Sequence, residues 1–212
     1  MSDQPVLYGA PYSVYVRAVR LALAEKGVAY RLVPVDVFDD AGALADQLDR
    51  HPFGKIPAFE HRGFKLYEAG AITRYIDEAF DGPSLQPGSP QDRARVNQVL
   101  SVLDSYVYRT LVWDIYVERI VRPSQGRAPD EARIAAALPR AATCLLALER
   151  IMGDGPLFVG ASITLADLHA VPMFDYFIPT PEADRLLDVN SPLRRWWNSV
   201  SAWPSVIATT TR

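Results

Sequence analysis

Val6-Leu7-Tyr8 opens the chain with a short β-prone run that ends at Gly9 and Pro11, which predicts a first strand and a turn. From Ser13 the apolar spacing becomes helical. Val16, Val19 and Leu23 share a stripe, with Arg17, Arg20 and Lys26 between them, and Gly27 supplies a stop. Residues 30–35 predict a second strand, parallel to the first because the helix provides the crossover that such a pair needs. Residues 41–50 predict a second helix, closed by His51-Pro52. Two short strands follow at 58–60 and 64–66, turning at Arg62-Gly63. A third helix at 68–80 has Ile72, Tyr75, Ile76 and Phe80 on one face.

Asp81-Gly82-Pro83-Ser84 and Gln86-Pro87-Gly88-Ser89-Pro90 then form a break rich in helix and strand terminators. Beyond it the β signals disappear. The pattern predicts a long helix over 91–121, a loop over 123–129, a helix over 130–152, a turn at Gly153-Asp154-Gly155-Pro156, a helix over 164–177 and a short one over 192–200. At the start of the 164–177 helix, Thr164 is expected to cap, Asp167 to reach back, and Ile163 to staple Leu168. The order is βαβαββα and then helices alone. It predicts an α/β domain over 1–82, a linker over 83–90 and an all-α domain over 91–212.

Composition narrows the class. The 212 residues are 49% apolar and 22% charged, as in folded globular proteins, and provide ample core for two modest domains. The net charge of −3 comes from interleaved acids and bases, which argues against a nucleic-acid footprint and a polybasic membrane patch. No apolar run reaches bilayer length, and the first residues lack the pattern of a secretory leader. The single cysteine, Cys144, excludes an intrachain disulfide framework and suits a reducing compartment, so a cytoplasmic location is expected. Cys144 lies among Ala and Leu and reads as a buried apolar residue. His51, His61 and His169 have no ligand-like spacing, so no metal is expected. Trp113, Trp196, Trp197 and Trp203 read as core or interface. Tyr106, Tyr108, Trp113 and Tyr116 lie along the long helix and suit either core packing or the lining of an apolar pocket.

Three short segments could carry chemistry, and each also has a purely structural reading. Gly9-Ala10-Pro11-Tyr12-Ser13 delivers Ser13 to a helix N-terminus, where open N–H groups and the helix dipole favour an anion. A thiolate is such an anion, and a hydroxyl beside it would lower a thiol pKa. Equally, Ser13 suits a plain helix cap. In Pro52-Phe53-Gly54-Lys55-Ile56-Pro57-Ala58, Pro57 stands just before a strand. A cis bond there would turn the main-chain groups of Ile56 outward to pair with an extended peptide, whereas a trans bond would simply start the strand. Glu68-Ala69-Gly70-Ala71 opens the third helix. Its N–H groups could hold a carboxylate and Glu68 an ammonium, or Glu68 could only complement the dipole.

In this order the segments resemble a known family. LYGAPYSVYVRAVRLALAEKGV and HPFGKIPAFEHRGFKLYEAGAITRYIDEAF resemble the first domain of cytosolic glutathione transferases. PLFVGASITLADLHAVPMF and PLRRWWNSVSAWPSV resemble that family's sixth-helix segment and C-terminal helix. The likeness covers nearly the whole chain, and the serine-using phi- and theta-like classes, bacterial members included, are nearest. It implies a thioredoxin-like N-terminal domain followed by the family's all-helical C-terminal domain.

By that resemblance Ser13 matches the serine that stabilises the glutathione thiolate. Ile56 and Pro57 match the residue and cis-proline that pair with the cysteinyl unit. Lys55 matches a position that helps hold the tripeptide's carboxylates, and Glu68 the acid at its γ-glutamyl end. Phe53 matches a residue that inserts into a partner subunit, which implies a homodimer. Two positions depart from the family pattern. Ala69 stands where a Ser or Thr usually binds the γ-glutamyl carboxylate, leaving the Ala69 N–H as donor, and Ala41-Gly42-Ala43-Leu44 lacks the His-Lys pair of phi enzymes. The implied activity is conjugation of glutathione, as co-substrate, to a small apolar electrophile, in a detoxifying transferase without metal. A glutathione-dependent peroxidase or dehalogenase, or a non-catalytic ligand-binding relative, are the alternatives.

Overall fold

The computed structural model describes residues 3–38 and 43–210. The chain divides into two compact units, Met1–Gln86 with Pro204–Arg212, and Pro87–Trp203.

The first unit contains β1 (Val6–Tyr8), α1 (Val14–Glu25), β2 (Arg31–Val33), α2 (Ala43–Arg50), β3 (Ala58–His61), β4 (Phe64–Tyr67) and α3 (Ala69–Ala79). The sheet has the order β2-β1-β3-β4. β1 and β2 are parallel, as the helical crossover requires, and the other pairs are antiparallel. This is the thioredoxin-like arrangement expected. Leu7 and Phe59, directly paired across β1 and β3, are buried with the α1 stripe of Val16, Val19 and Leu23 and with Ile72 and Ile76 of α3. The β3–β4 hairpin turns on two residues of positive φ, Arg62 at 52° and Gly63 at 83°, the backbone that matches the right-handed twist of its strands.

Two boundaries differ from the expected domain limits. The first unit runs on to Gln86 because Asp77 of α3 gathers the segment after it. Its carboxylate accepts from the Leu85 N–H at 2.7 Å and from Gln86 Nε2 at 3.1 Å. Lys26, buried at the end of α1, donates to the Asp77 and Pro83 carbonyls, each at 3.0 Å. The last residues also belong to this unit. α10 (Pro204–Thr209) lies on α1, and Arg17 donates to the Val206 carbonyl at 3.2 Å and the Thr210 hydroxyl at 3.0 Å. Arg20 donates to the Thr209 carbonyl at 3.1 Å. Arg17, read from the pattern as a polar gap in an apolar stripe, is only 5% exposed for this reason.

The second unit is helical: α4 (Pro90–Val102), a π-helical stretch (Leu103–Val121), α5 (Arg122–Ser124), α6 (Glu131–Met152), α7 (Leu165–Phe177), α8 (Pro181–Leu186) and α9 (Pro192–Val200). The expected single helix over 91–121 thus changes winding at Leu103. The Arg122 N–H reaches the Val117 carbonyl in the wider i→i+5 pattern. This stretch buries Asp114 and Glu118, each paired with arginine. Asp114 takes Arg133 at 2.8 Å, Arg109 at 3.1 Å and Arg140 at 3.1 Å, and Glu118 takes Arg133 at 3.1 Å and Arg122 at 3.2 Å.

At the head of α7, Asp167 is fully buried and accepts four hydrogen bonds. They come from the Thr164 N–H and hydroxyl, both at 2.9 Å, the Phe158 N–H at 3.1 Å, and Trp196 Nε1 of α9 at 3.0 Å. Burial pushes this carboxyl's pKa up, against the pull of those donors. Cys144 is free and buried in α6, and burial raises its thiol pKa, as an inert apolar residue requires.

Candidate active site

One row of the sheet carries every element of interest. Val33, Tyr8, Ala58 and Tyr67 are successive partners across β2, β1, β3 and β4. Asp36 and Phe38 follow Val33, the 9–13 turn follows Tyr8, Ile56-Pro57 precedes Ala58, and Glu68-Ala69 follows Tyr67. Strand pairing therefore collects segments far apart in sequence at one end of the sheet's strands.

The 9–13 turn is held by the Gly9 N–H on the Val33 carbonyl and the Ser13 N–H on the Ala10 carbonyl, both at 3.0 Å. Ser13 is extended (φ −69°, ψ 129°) and caps α1, accepting the Val16 N–H at 3.4 Å. That bond is long, and the half-buried hydroxyl keeps its own proton to donate at the open end of the helix. Both readings of Ser13 thus fit one geometry.

The Ile56–Pro57 bond is cis. A methyl group built on Gly9 would lie 3.4 Å from Ile56 Cβ, so this loop rests against the turn that carries Ser13. Among the described residues, no other main-chain group pairs with the N–H or C=O of Ile56. Gln47 of α2 anchors the loop by donating to the Lys55 carbonyl at 2.6 Å, while the Lys55 side chain is exposed.

Glu68 has a φ of 70°, uncommon for a residue with a side chain, and its carboxylate is 64% exposed. The Ala71 and Ile72 N–H groups both donate to the Glu68 carbonyl at 3.0 Å, and neither Ala69 nor Gly70 donates to main chain among the described residues. Ala69 itself is buried.

Sequence reasoning set His51 aside. It is 2% exposed, its Nε2 lies 3.9 Å from Glu68 Oε1, and its ring packs 4.8 Å from that of Tyr67. No spacing rule could have found this contact, because β3 and β4 lie between the two residues. The three histidines are apart: His61 meets the Tyr75 hydroxyl at 2.8 Å, and His169 meets Asp104 at 2.7 Å. Tyr12 and Phe38 were also missed. Their rings stack at 6.4 Å, the Tyr12 hydroxyl donates to Asp36 at 2.9 Å, and both rings are exposed. Phe53 is 68% exposed, edge-on to Tyr67 at 6.4 Å. In the second unit Tyr116 stacks on Tyr176 at 4.5 Å, while Tyr106 is exposed. Ala41-Gly42-Ala43-Leu44, noted above for its missing basic pair, lies outside the residues whose side chains are described.

Comparison with known proteins agrees with this architecture. Residues 7–84 match the glutathione S-transferase N-terminal domain, and residues 131–197 match the C-terminal domain. Glutathione S-transferase F13 of Arabidopsis thaliana is 31% identical over 203 residues, covering 95% of this chain and 92% of the relative. The crystal structure of glutathione transferase F7 from Populus trichocarpa superposes with a TM-score of 0.82 at 30% identity, covering 97% of each chain. A glutathione S-transferase-I bound with lactoylglutathione superposes at 0.82 with 25% identity, covering 97% of this chain and 98% of the other. The chain belongs to the glutathione S-transferase family and is a transferase of that family.

Proposed function

We propose that this enzyme binds reduced glutathione at the strand ends flanked by Ser13, Ile56-Pro57 and Glu68-Ala69, and conjugates it to small hydrophobic electrophiles. The observation that carries the reading is the shared row Val33–Tyr8–Ala58–Tyr67, from which all three segments leave. The Ile56 main chain would pair with the cysteinyl unit as an added strand. The Ala69 N–H would take the γ-glutamyl carboxylate and Glu68 its ammonium, with Lys55 a second anchor for carboxylate. The Ser13 hydroxyl and the end of α1 would then hold the sulfur as a thiolate.

The thiolate supplies the electron pair for a new C–S bond, and the leaving group departs with the pair from the bond it breaks. Positioning and thiolate stabilisation are the protein's share, and no side chain becomes covalently attached. The exposed ring pair Tyr12–Phe38, whose Tyr12 directly precedes Ser13 in the chain, favours an apolar electrophile. A serine at position 13 supports assignment to the serine-type phi- and theta-like classes. The lone cysteine suits a cytoplasmic site of action, and exposed Phe53 suits a two-fold homodimer that it would anchor.

The test is conjugation of glutathione to an aromatic chloride by wild type and Ser13→Ala. Loss of one charge-assisted hydrogen bond, roughly 1.5–3 kcal/mol, predicts a fall in kcat/KM of about 10- to 100-fold. Affinity for S-methylglutathione, which has no thiol to ionise, should stay unchanged. Equal turnover by both proteins would exclude the serine mechanism.

A further inference from the structure

The loop of Lys55 and Ile56 and the head of α3 approach the proposed glutathione site separately, and His51 touches both. Its carbonyl accepts the Gly54 N–H at 2.9 Å within the loop, and its Nε2 lies 3.9 Å from Glu68 Oε1 at the start of α3. The ring is enclosed by Tyr67 at 4.8 Å and Phe53 at 6.0 Å, and its Nδ1 is buried without a hydrogen-bond partner among the described residues.

We propose that His51 is a positioning residue: neutral, it leaves the Glu68 carboxylate to the ammonium of a γ-glutamyl ligand, and protonated it claims that carboxylate for itself. This rests on the glutathione reading above. At 3.9 Å a neutral imidazole is beyond hydrogen-bond range of the carboxylate, so it shapes the Glu68 environment without using up its charge. Once protonated, the ring becomes a buried cation with one carboxylate in reach and nothing on its other nitrogen. Such a cation must pair, and among the described residues the one carboxylate within reach is Glu68, so that pairing competes directly with the ligand's ammonium.

Among the described residues, the charged groups acting on His51 are Glu68 at the head of α3 and Lys55 in the loop. The other titratable group against it is Tyr67 from β4. The α2 helix supplies the Gln47 carbonyl that accepts the His51 N–H, and the neighbouring Arg50 guanidinium lies 4.3 Å over the Tyr8 ring. Burial lowers the His51 pKa, Glu68 opposes that and Lys55 adds to it, so the ring is neutral at pH 7 and takes up its proton only below the ordinary histidine value.

The experiment is titration calorimetry of S-methylglutathione between about pH 5 and pH 7.5, a window in which this thioether ligand keeps its charges. It compares wild type, His51→Gln, His51→Asn and Glu68→Gln, with circular dichroism confirming a folded protein at each pH. Wild-type affinity should fall about tenfold on acidification, the size of one lost charge-assisted contact. In His51→Gln and His51→Asn it should stay flat, and Glu68→Gln should bind weakly without pH dependence. A histidine variant that keeps the wild-type slope, or a wild type with no slope, overturns the inference. Failure of the wild type to bind at pH 7.5 instead overturns the glutathione reading, and this inference with it.

Discussion

A methyl group placed on Gly9 would collide with Cγ2 of Val16, so the turn that delivers Ser13 is pressed against the helix that Ser13 caps. Contact this close between heavy atoms is not tolerated, and Val16 is fully buried and cannot swing aside. Gly9→Ala is therefore expected to destabilise the fold by about 1–3 kcal/mol. Urea denaturation should show a total loss for Gly9→Ala with Val16→Ala smaller than the sum of the single losses, because the second change removes the atom that clashes. Strict additivity would mean that the two sites do not meet.

Ala69 offers a gain rather than a loss. A hydroxyl at the first residue of α3 stands beside the N–H proposed to take the γ-glutamyl carboxylate. Ala69→Ser should tighten S-methylglutathione binding about 2- to 10-fold, corresponding to roughly 0.5–1.5 kcal/mol for one added hydrogen bond. Calorimetry showing weaker or unchanged binding would place the carboxylate elsewhere.

Phe53 presents its ring to solvent beside Tyr67. If it anchors a homodimer, Phe53→Ser forfeits the burial of one aromatic side chain, about 1.5–3 kcal/mol, and should raise the dimer dissociation constant at least roughly tenfold. Sedimentation velocity across a dilution series reads this directly, and an unchanged distribution would argue against Phe53 as the anchor.

Asp167 in the second unit collects two main-chain donors, a hydroxyl and an indole. Removing its carboxylate orphans all of them in the interior, so Asp167→Ala should cost about 3–5 kcal/mol. Asp167→Asn keeps an acceptor oxygen and should cost less. Thermal denaturation that ranks the two variants the other way would contradict the hydrogen-bond account.

His51 also links stability to pH. The unfolded chain takes up a proton near the ordinary histidine value of about 6.5, and the folded protein only at lower pH. Between those two values the unfolded state binds more protons, so stability falls as the pH drops through that interval. The urea midpoint should be lower at pH 5.5 than at pH 7.5, and the difference should shrink in His51→Gln. An equal difference in the variant would assign the effect to other groups.

Much of this was legible in the sequence, for reasons that lie in local chemistry. The α1 stripe of Val16, Val19 and Leu23, the Ser13 cap, the Arg62-Gly63 hairpin turn and the βαβαββα order depend on side-chain period and on turn conformations, which neighbouring residues determine among themselves. The segments singled out for chemistry were also readable, because a capped helix start and an X-Pro step are local features. The winding of the long helix was not. Buried Leu103, Val107, Leu111 and Ile115 fall four apart, a spacing that fits an α-helix and the wider π-helix alike.

Everything that depends on strand pairing was settled only in three dimensions. The row Val33–Tyr8–Ala58–Tyr67 brings Ser13, Ile56 and Glu68 to one end of the sheet's strands, and it places His51 against a carboxylate 17 positions later in the chain. Arg17 is polar by every local rule, yet it is buried because α10, nearly the length of the chain away, offers it carbonyls and hydroxyls. Periodicity records which face of an element is apolar. Which partner covers that face, and which distant polar groups satisfy one another there, is decided by packing between elements that no local spacing encodes.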